Sequence, residues 1–212
     1  MKKKNNSLLY KKRLAILDLC KKIVVKNGWN QNTFKLIAYH SNLSINQINV
    51  LFPRGYEDLL KFALDQINFK LENNFKKNSL IRQPLHKRIR TILISKINLM
   101  EKNKFFYKKN FFHLFLPKNS RLFLKKLYES VDLMWFIAGD RSTDFNFYSK
   151  RMILSGIYVR VLLCYFNNDD FSKVEQVLDE SLNAVSKIPK YKEKFEIFKQ
   201  NIPNFFKIIK SF

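Results

Sequence analysis

Apolar residues recur at every third or fourth position along most of the chain, a period that predicts amphipathic α-helices. In the first run, Leu14, Leu17 and Val24 share one helical face, and the run ends at Asn27-Gly28. The pattern therefore predicts an all-α chain of about ten helices with no credible strand. The longer helices are expected to cover roughly residues 8–27, 56–74, 84–100, 124–138, 143–164 and 171–187.

A different pattern lies between residues 29 and 52, where a turn separates two short helices. We expect Thr33 to cap the first helix and Ser44 the second, because hydroxyl side chains accept hydrogen bonds from the free amides at a helix start. Two short helices after one longer helix predict a helix-turn-helix of the TetR type.

The composition adds a large positive charge to this helical picture. The chain has 40 Lys and Arg against 17 Asp and Glu, a formal net charge of +23. Such a field attracts nucleic acid, acidic lipid headgroups or an acidic protein, without selecting among them. With 212 residues, 46% of them hydrophobic, the chain fits one compact domain better than two.

Candidate catalytic chemistry is sparse. His40, His86 and His113 are scattered without metal-ligand spacing, and no Glu-x-x-His pair is present that could build a di-iron site. The sequence has no Gly-rich phosphate loop and no nucleophile elbow. Cys20 and Cys164 are expected to be free thiols. The protein is therefore predicted to be a non-enzyme without metal or cofactor.

The terminal regions lead to a prediction of location. No run of eighteen uncharged apolar residues exists, so no transmembrane helix is expected. The basic start is interrupted by Lys11, Lys12 and Arg13 and has no apolar signal core after it. A bacterial cytoplasmic protein, peripheral on the inner membrane, is the simplest expectation.

The last segment, residues 189–212, has the pattern of a basic amphipathic helix, in contrast to the domain expected over residues 1–188. Its lysines fall mostly off an apolar stripe that continues in phase across Pro203. A core helix is one interpretation, but bulky aromatics opposite lysines favour the surface of an anionic bilayer. The predicted membrane-binding residues are Tyr191, Phe195, Phe198, Ile202, Phe205, Phe206 and Ile209.

Two stretches carry a more specific resemblance. FPRGYEDLL at 52–60 and DLMWFIAGDRSTDFNFYSKRMILSGIY at 132–158 resemble the ubiquinone (coenzyme Q) biosynthesis accessory family. The hallmark of that family is Trp, then Ala-Gly-Asp-x-Ser-Thr-Asp, then aromatic residues and a basic pair. The resemblance implies a TetR-like fold, an apolar cavity for isoprenoid lipids, and assistance to the di-iron hydroxylase that acts on demethoxyubiquinone.

The same resemblance suggests where the hydroxylase docks. Asp144, Phe147, Tyr148 and Arg151 lie on neighbouring faces of the first turns of a helix, and exposed aromatics beside charges are typical of docking hot spots. The family usually has Trp where this chain has Phe147, so the aromatic anchor remains but the indole N–H is lost. Helix capping is the alternative role for the polar residues just before them, Asp140, Ser142 and Thr143.

Candidate residues for lipid binding come from the two helices expected to flank the cavity. They are Trp135, Leu154, Ile157, Tyr158 and Val161. Ordinary core packing explains an apolar stripe at helical spacing nearly as well.

We therefore expect a lipid-binding accessory protein that presents a polyprenylated quinone intermediate to the hydroxylase at the membrane, with homodimerisation suggested by the fold. The main rival is a TetR-type repressor with Asn46, Gln47 and Asn49 as base-reading residues. TetR-type repressors usually have Tyr where Asn49 stands, so DNA is a less favoured partner. A basic membrane adaptor without a lipid cavity is the third interpretation.

Overall fold

The structure, a computed structural model, describes residues 2–76, 80, 82–142 and 145–186. Within these ranges the chain forms nine α-helices and one short 3-10 turn, and it contains no strand. The all-α prediction is therefore confirmed. The helices are α1 (Lys2–Asn27), α2 (Gln31–His40), α3 (Ile45–Leu51), α4 (Tyr56–Phe75), α5 (Leu85–Glu101), α6 (Lys104–Leu114), α7 (Ser120–Ala138), α8 (Phe145–Asn167) and α9 (Phe171–Ser186).

The predicted helix-turn-helix is formed by α2 and α3. The Ser44 cap is confirmed, because its hydroxyl accepts from the Gln47 amide while the Gln47 side chain accepts from the Ser44 amide. The predicted Thr33 cap is wrong. Asn30 caps α2 instead, and its carboxamide oxygen accepts from both the amide and the hydroxyl of Thr33. Of the three proposed base-reading residues, Gln47 is already engaged in this capping box.

The core is organised around α5, which packs against α4, α7 and α9. Its side chains Ile92, Leu93 and Ile97 are completely buried. The helix α8 packs against both α7 and α9, and α1 packs against α2 and α6. The chain therefore places α7 and α8 side by side, next to a shared apolar interior.

The turn after α7 is formed at Gly139. Gly139 has φ 82°, a left-handed conformation that costs glycine least, and the next amide, that of Asp140, donates to the carbonyl of Trp135. This reversal brings Asp140 back over the last turn of α7. The Ser142 hydroxyl donates to Asp140. The predicted cap of α8 by Ser142 or Thr143 stays a prediction, because residues 143 and 144 lie outside the described residues.

The helix α6 (Lys104–Leu114) lies in an aromatic stretch that is not among the longer helices expected from the sequence. Phe106, Tyr107, Asn110, Phe111 and Leu114 of this helix are all buried. Its aromatic rings link the turn between α1 and α2 to α8, because Trp29 contacts Phe106 and Phe111 contacts Phe166. Thus α6 forms one wall of the interior.

Among the described residues, no helix is long and apolar enough to cross a membrane. The predicted membrane-binding segment at residues 189–212 lies outside the described residues, so its amphipathic helix stays a prediction.

Candidate functional site

A buried ion-pair network joins α7 to α8. The Arg151 Nε atom lies 2.7 Å from Asp132 Oδ1, and its Nη1 atom lies 3.3 Å from Asp140 Oδ2. Nη1 also donates to the backbone carbonyl of Phe147 at 3.1 Å. The side chains of Arg151 and Asp140 are only 7% and 4% exposed, so both charges depend on these partners.

Lys150 extends the same network on the other side of Asp140. Its Nζ atom lies 2.8 Å from Asp140 Oδ1, and Ser142 donates to the second carboxylate oxygen at 2.8 Å. The Trp135 indole N–H donates to the backbone carbonyl of Lys150. We name Asp132, Asp140, Lys150 and Arg151 the α7–α8 ion-pair network. It fixes the start of α8 against the end of α7.

The charge state of Asp140 follows from these contacts. Burial alone would raise the pKa of this carboxyl group. Hydrogen bonds from Lys150 and Ser142, with the charge of Lys150, outweigh burial, and the pKa of Asp140 lies below its ordinary value. The carboxylate is therefore ionised at neutral pH and holds two cations together.

The network supports a small exposed surface on α8. The Arg151 guanidinium carbon lies 3.3 Å from the centre of the half-buried Phe147 ring, which in turn packs edge-on against Tyr148 at 5.1 Å between ring centroids. Tyr148 is 64% exposed, and Met152, one turn further along α8, is 75% exposed. We name Phe147, Tyr148 and Met152 the aromatic patch.

The predicted docking quartet is thus only partly brought together at the surface. Phe147 and Tyr148 are neighbours, and Asp144 lies outside the described residues. Arg151 was expected to be an exposed contact residue, which is wrong, because it is 6% exposed and bound beneath the patch. Its geometry makes it a positioning residue for Phe147. The burial of Arg151 could not be predicted from the sequence, because Asp132, the carboxylate that holds it, belongs to the preceding helix.

The predicted lipid-lining residues divide between two cavities. Trp135, Leu154 and Ile157 line an apolar cavity of about 200 Å³ between α5, α7, α8 and α9, named here the Trp135 cavity. The other lining residues include Leu85, Ile89, Leu182 and Val185. Val161 is completely buried and lines neither cavity.

Tyr158 lines a second, smaller cavity of about 60 Å³, enclosed by α4, α5, α6, α7 and α8. We name it the Lys96 cavity, because Lys96 is on its wall although this side chain is only 1% exposed. Lys96 was not among the predicted site residues. The burial of Lys96 was predictable from its spacing, because it shares one helical face with Ile89, Leu93 and Met100. All four side chains are buried.

Comparisons with known proteins concern the part of the chain that holds the ion-pair network and the patch. Residues 120–189 match the COQ9 family. The matched segment contains all of α7, α8 and α9, and with them residues 132–158, which carry the resemblance. The predicted resemblance to the ubiquinone-biosynthesis accessory family is confirmed.

Several curated relatives bear the name ubiquinone biosynthesis protein COQ9, mitochondrial. The rat protein is 40% identical over 72 residues, which are 33% of this chain and 23% of that protein. The human protein is 38% identical over 72 residues, with the same coverage of 33% and 23%. The bovine protein is 25% identical over 177 residues, 79% of this chain and 55% of its own length. The chain therefore matches about half of the bovine COQ9 protein and about a quarter of the other two.

These names correct the predicted location. A bacterial cytoplasmic location is wrong, because the rat, bovine and human relatives are all named mitochondrial. The first residues of the chain are basic and are not followed by an apolar core. That pattern is evidence against a secretory signal peptide only. It does not argue against a mitochondrial location, because mitochondrial targeting segments are themselves basic and poor in acidic residues.

Proposed function

We propose that the protein is a non-enzymatic accessory factor of ubiquinone biosynthesis, which binds a polyprenylated quinone intermediate and presents it to the demethoxyubiquinone hydroxylase. The observation that carries the proposal is the aromatic patch, supported by a buried ion-pair network within the segment that matches the COQ9 family. The names of the relatives favour a mitochondrial site of action.

The geometry of the patch supports docking of a protein partner. An exposed tyrosine and methionine on a rigid helix offer contact area at small entropic cost, and aromatic anchors dominate interface energies. The network below holds Phe147 and the first turns of α8 in one position, so the patch is organised before a partner arrives. Docking at this patch also places the partner close to the Trp135 cavity, because Trp135 contacts the backbone of Lys150.

The Trp135 cavity suits the hydrocarbon part of a lipid. Its lining is almost entirely aliphatic and aromatic, and its volume of about 200 Å³ exceeds the ~150 Å³ of an engineered apolar cavity that admits benzene. It therefore has room for an isoprenoid-sized group. In this proposal the remainder of the prenyl chain stays in contact with the anionic membrane, which the basic residues 189–212 engage.

The docking assignment is tested by exchanging Tyr148 for alanine. Loss of this exposed anchor should weaken capture of the hydroxylase by about tenfold or more, as expected for a hot-spot residue. The affinity is measured by surface plasmon resonance with immobilised hydroxylase. The matched control is Tyr39→Ala, since Tyr39 is 77% exposed but lies on α2. Equal affinity of the Tyr148 variant and the parent protein would remove the docking site from α8.

Membrane binding is tested separately at the last segment. Replacing Phe195, Phe198 and Phe205 with serine should abolish flotation with anionic vesicles, because each buried aromatic side chain contributes roughly 2 kcal/mol. The helical circular dichroism signal of the main domain serves as the control and should persist. Retained flotation would contradict the membrane assignment, and collapse of the helical signal would identify the three residues as core.

A further inference from the structure

The Lys96 cavity has two almost completely buried polar side chains on its wall. Fifteen side chains from five helices line it, and most of them are apolar. Two polar ones, Lys96 and Asn110, are each only 1% exposed. A cavity that is apolar with two buried donors is a typical recognition site for a small polar group, because few, fixed polar groups then set the orientation of a ligand.

Asn110 has a donor without a partner among the described residues. The indole N–H of Trp29 can only donate, and it lies 2.7 Å from Asn110 Oδ1. This bond fixes which side of the carboxamide is oxygen, so the Nδ2 group is the one left over. Nδ2 is fully buried and has no hydrogen-bond partner in the described part of the chain. A buried donor in this state is costly unless something accepts from it.

Lys96 likewise has donor capacity to spare. Its ammonium donates to Asn68 Oδ1 at 2.7 Å and lies 5.0 Å from the centre of the Tyr158 ring. No carboxylate of the described residues lies within salt-bridge distance of it. The other lysine of the cavity, Lys126, is different, because Asp65 and Glu129 pair with its ammonium at 2.7 and 2.8 Å. Of these two lysines, Lys96 is therefore the one without a carboxylate partner among the residues that the structure describes.

The size and opening of the cavity limit what fits. About 60 Å³ is less than half the ~150 Å³ of the cavity that admits benzene, so it holds a few waters or a single carbonyl or carboxylate group. A quinone ring or a hydrocarbon chain stays outside it. The partly buried lining residues Leu64, Phe123 and Leu127 belong to α4 and α7, so the cavity meets the surface between these two helices. An apolar tail would leave along this side, in contact with these three side chains.

We propose that the Lys96 cavity binds the oxygen-acceptor head of an amphiphile, a quinone carbonyl or a carboxylate, through the Lys96 ammonium and the Asn110 amide, with the apolar tail leaving between α4 and α7. This inference rests on the proposed lipid-binding function and deepens it by naming the head-group chemistry. The two buried donors explain why an oxygen enters first, since a hydrocarbon would leave both of them unsatisfied.

The test measures binding of three probes to the purified full chain. A fluorescent polyene fatty acid reports direct binding, and it is then displaced by a short-chain alkyl benzoquinone or by the corresponding hydrocarbon without oxygen. We expect the acid, the quinone or both to bind about tenfold more tightly than the hydrocarbon, the advantage of one hydrogen bond to a charged group. The ranking of acid and quinone identifies which oxygen the cavity prefers.

Two variants locate the head group. Lys96→Met should reduce the affinity for the preferred oxygenated probe to that for the hydrocarbon, while Asn68 keeps Ser130 as a donor to its carbonyl oxygen. Asn110→Asp keeps the acceptor for Trp29 and removes the free donor, and it should weaken binding in the same direction. The matched control, Lys126→Met, removes a lysine of the same cavity whose charge is already paired, and it should change the affinity less than about twofold.

Each outcome separates the two proposals. Weaker binding of oxygenated probes to Lys96→Met, with unchanged hydrocarbon binding, supports the head-group site. Unchanged binding of all probes to both Lys96→Met and Asn110→Asp would overturn it, leave water as the occupant of the Lys96 cavity and keep lipid binding in the Trp135 cavity. Failure of every probe to bind the parent protein would instead overturn the lipid-binding function itself.

Discussion

Exchange of Asp140 for alanine should lower the free energy of unfolding by about 3 kcal/mol. The loss is large because Asp140 is the only carboxylate that contacts both Lys150 and Arg151 among the described residues, and its side chain is 4% exposed. Without it, Asp132 is the one acidic partner that the buried Arg151 guanidinium keeps within the described part of the chain. The quantity is measured by urea unfolding followed by circular dichroism at neutral pH.

The matched control for this prediction is Asp132→Ala. Asp132 contacts the same arginine, but its side chain is 45% exposed, so we expect a loss of about 1 kcal/mol or less. A second control is the double variant Asp140→Leu with Arg151→Met. It should recover part of the lost stability, since an apolar pair leaves no unpaired charge in the interior. Equal losses for Asp140→Ala and Asp132→Ala would contradict the central role of Asp140.

The dependence of this difference on pH has a definite sign. The folded-state pKa of Asp140 is lowered from its ordinary 3.8, so its stabilising contribution is present above that value. The contribution is lost as the pH falls through the folded-state pKa. The stability gap between the parent protein and Asp140→Ala should therefore narrow when the pH is lowered below about 3.8.

The same variant bears on the proposed docking surface. Arg151 donates to the carbonyl of Phe147 and stacks on its ring, and Asp140 is one of its acidic partners. Asp140→Ala should loosen Arg151 and thereby disorder Phe147. Capture of the hydroxylase should then weaken, although the substitution changes no exposed residue. Unchanged affinity of a folded Asp140→Ala protein for the hydroxylase would show that the aromatic patch does not depend on the α7–α8 ion-pair network.

Much of the helical fold follows from the sequence, because long helices leave a period in the apolar positions that local context rarely masks. The end of α7 was predictable for a further reason, since Gly139 is suited to the left-handed conformation that ends a helix. The cap of α2 was not. Asn30 and Thr33 are both competent caps three positions apart, and only the observed backbone distinguishes them.

The candidate site was less predictable, because its contacts join residues that are distant along the chain. A family hallmark shows which residues recur together, and it does not show which of them is exposed. Arg151 illustrates this point, since its burial is determined by Asp132 and Asp140, 19 and 11 positions earlier. The pairing of Asn110 with Trp29 spans 81 positions and leaves no local signal at all.

The second large effect is expected at Lys96, where Lys96→Met should raise the free energy of unfolding by about 2–4 kcal/mol at pH 7 and below. A buried ammonium without a carboxylate partner is expensive, and methionine fills a similar volume without charge. Burial lowers the pKa of Lys96 from 10.5 to about 7. Each pKa unit corresponds to about 1.4 kcal/mol, so this shift sets an upper limit of roughly 5 kcal/mol on the gain. Loss of the hydrogen bond from Lys96 to Asn68 removes part of it.

The gain should shrink as the pH rises from 7 to 9. In this range the unfolded chain still binds the lysine proton and the folded protein has begun to release it, so the stability of the parent protein rises by up to about 1.4 kcal/mol per pH unit. The methionine variant lacks this term. Above pH 9.0, the ordinary thiol pKa, the raised pKa of Cys20 lowers the stability of the folded protein as the pH rises. Both proteins contain Cys20, so this effect cancels in the difference between them.

The measurement is paired urea unfolding of the two proteins at several pH values, with Lys126→Met as the control. Lys126 has a raised pKa that its two carboxylate partners explain, and its removal should lower stability with little dependence on pH between 7 and 9.

A constant difference in stability between Lys96→Met and the parent protein would mean that the Lys96 ammonium is stabilised in its charged form. That result would count against a donor held ready for a ligand, because a charge already satisfied gains little from a further acceptor. A difference that closes with pH, together with weaker binding of oxygenated probes, would show that the protein gives up stability to keep a donor inside an apolar cavity, as expected of a binding site.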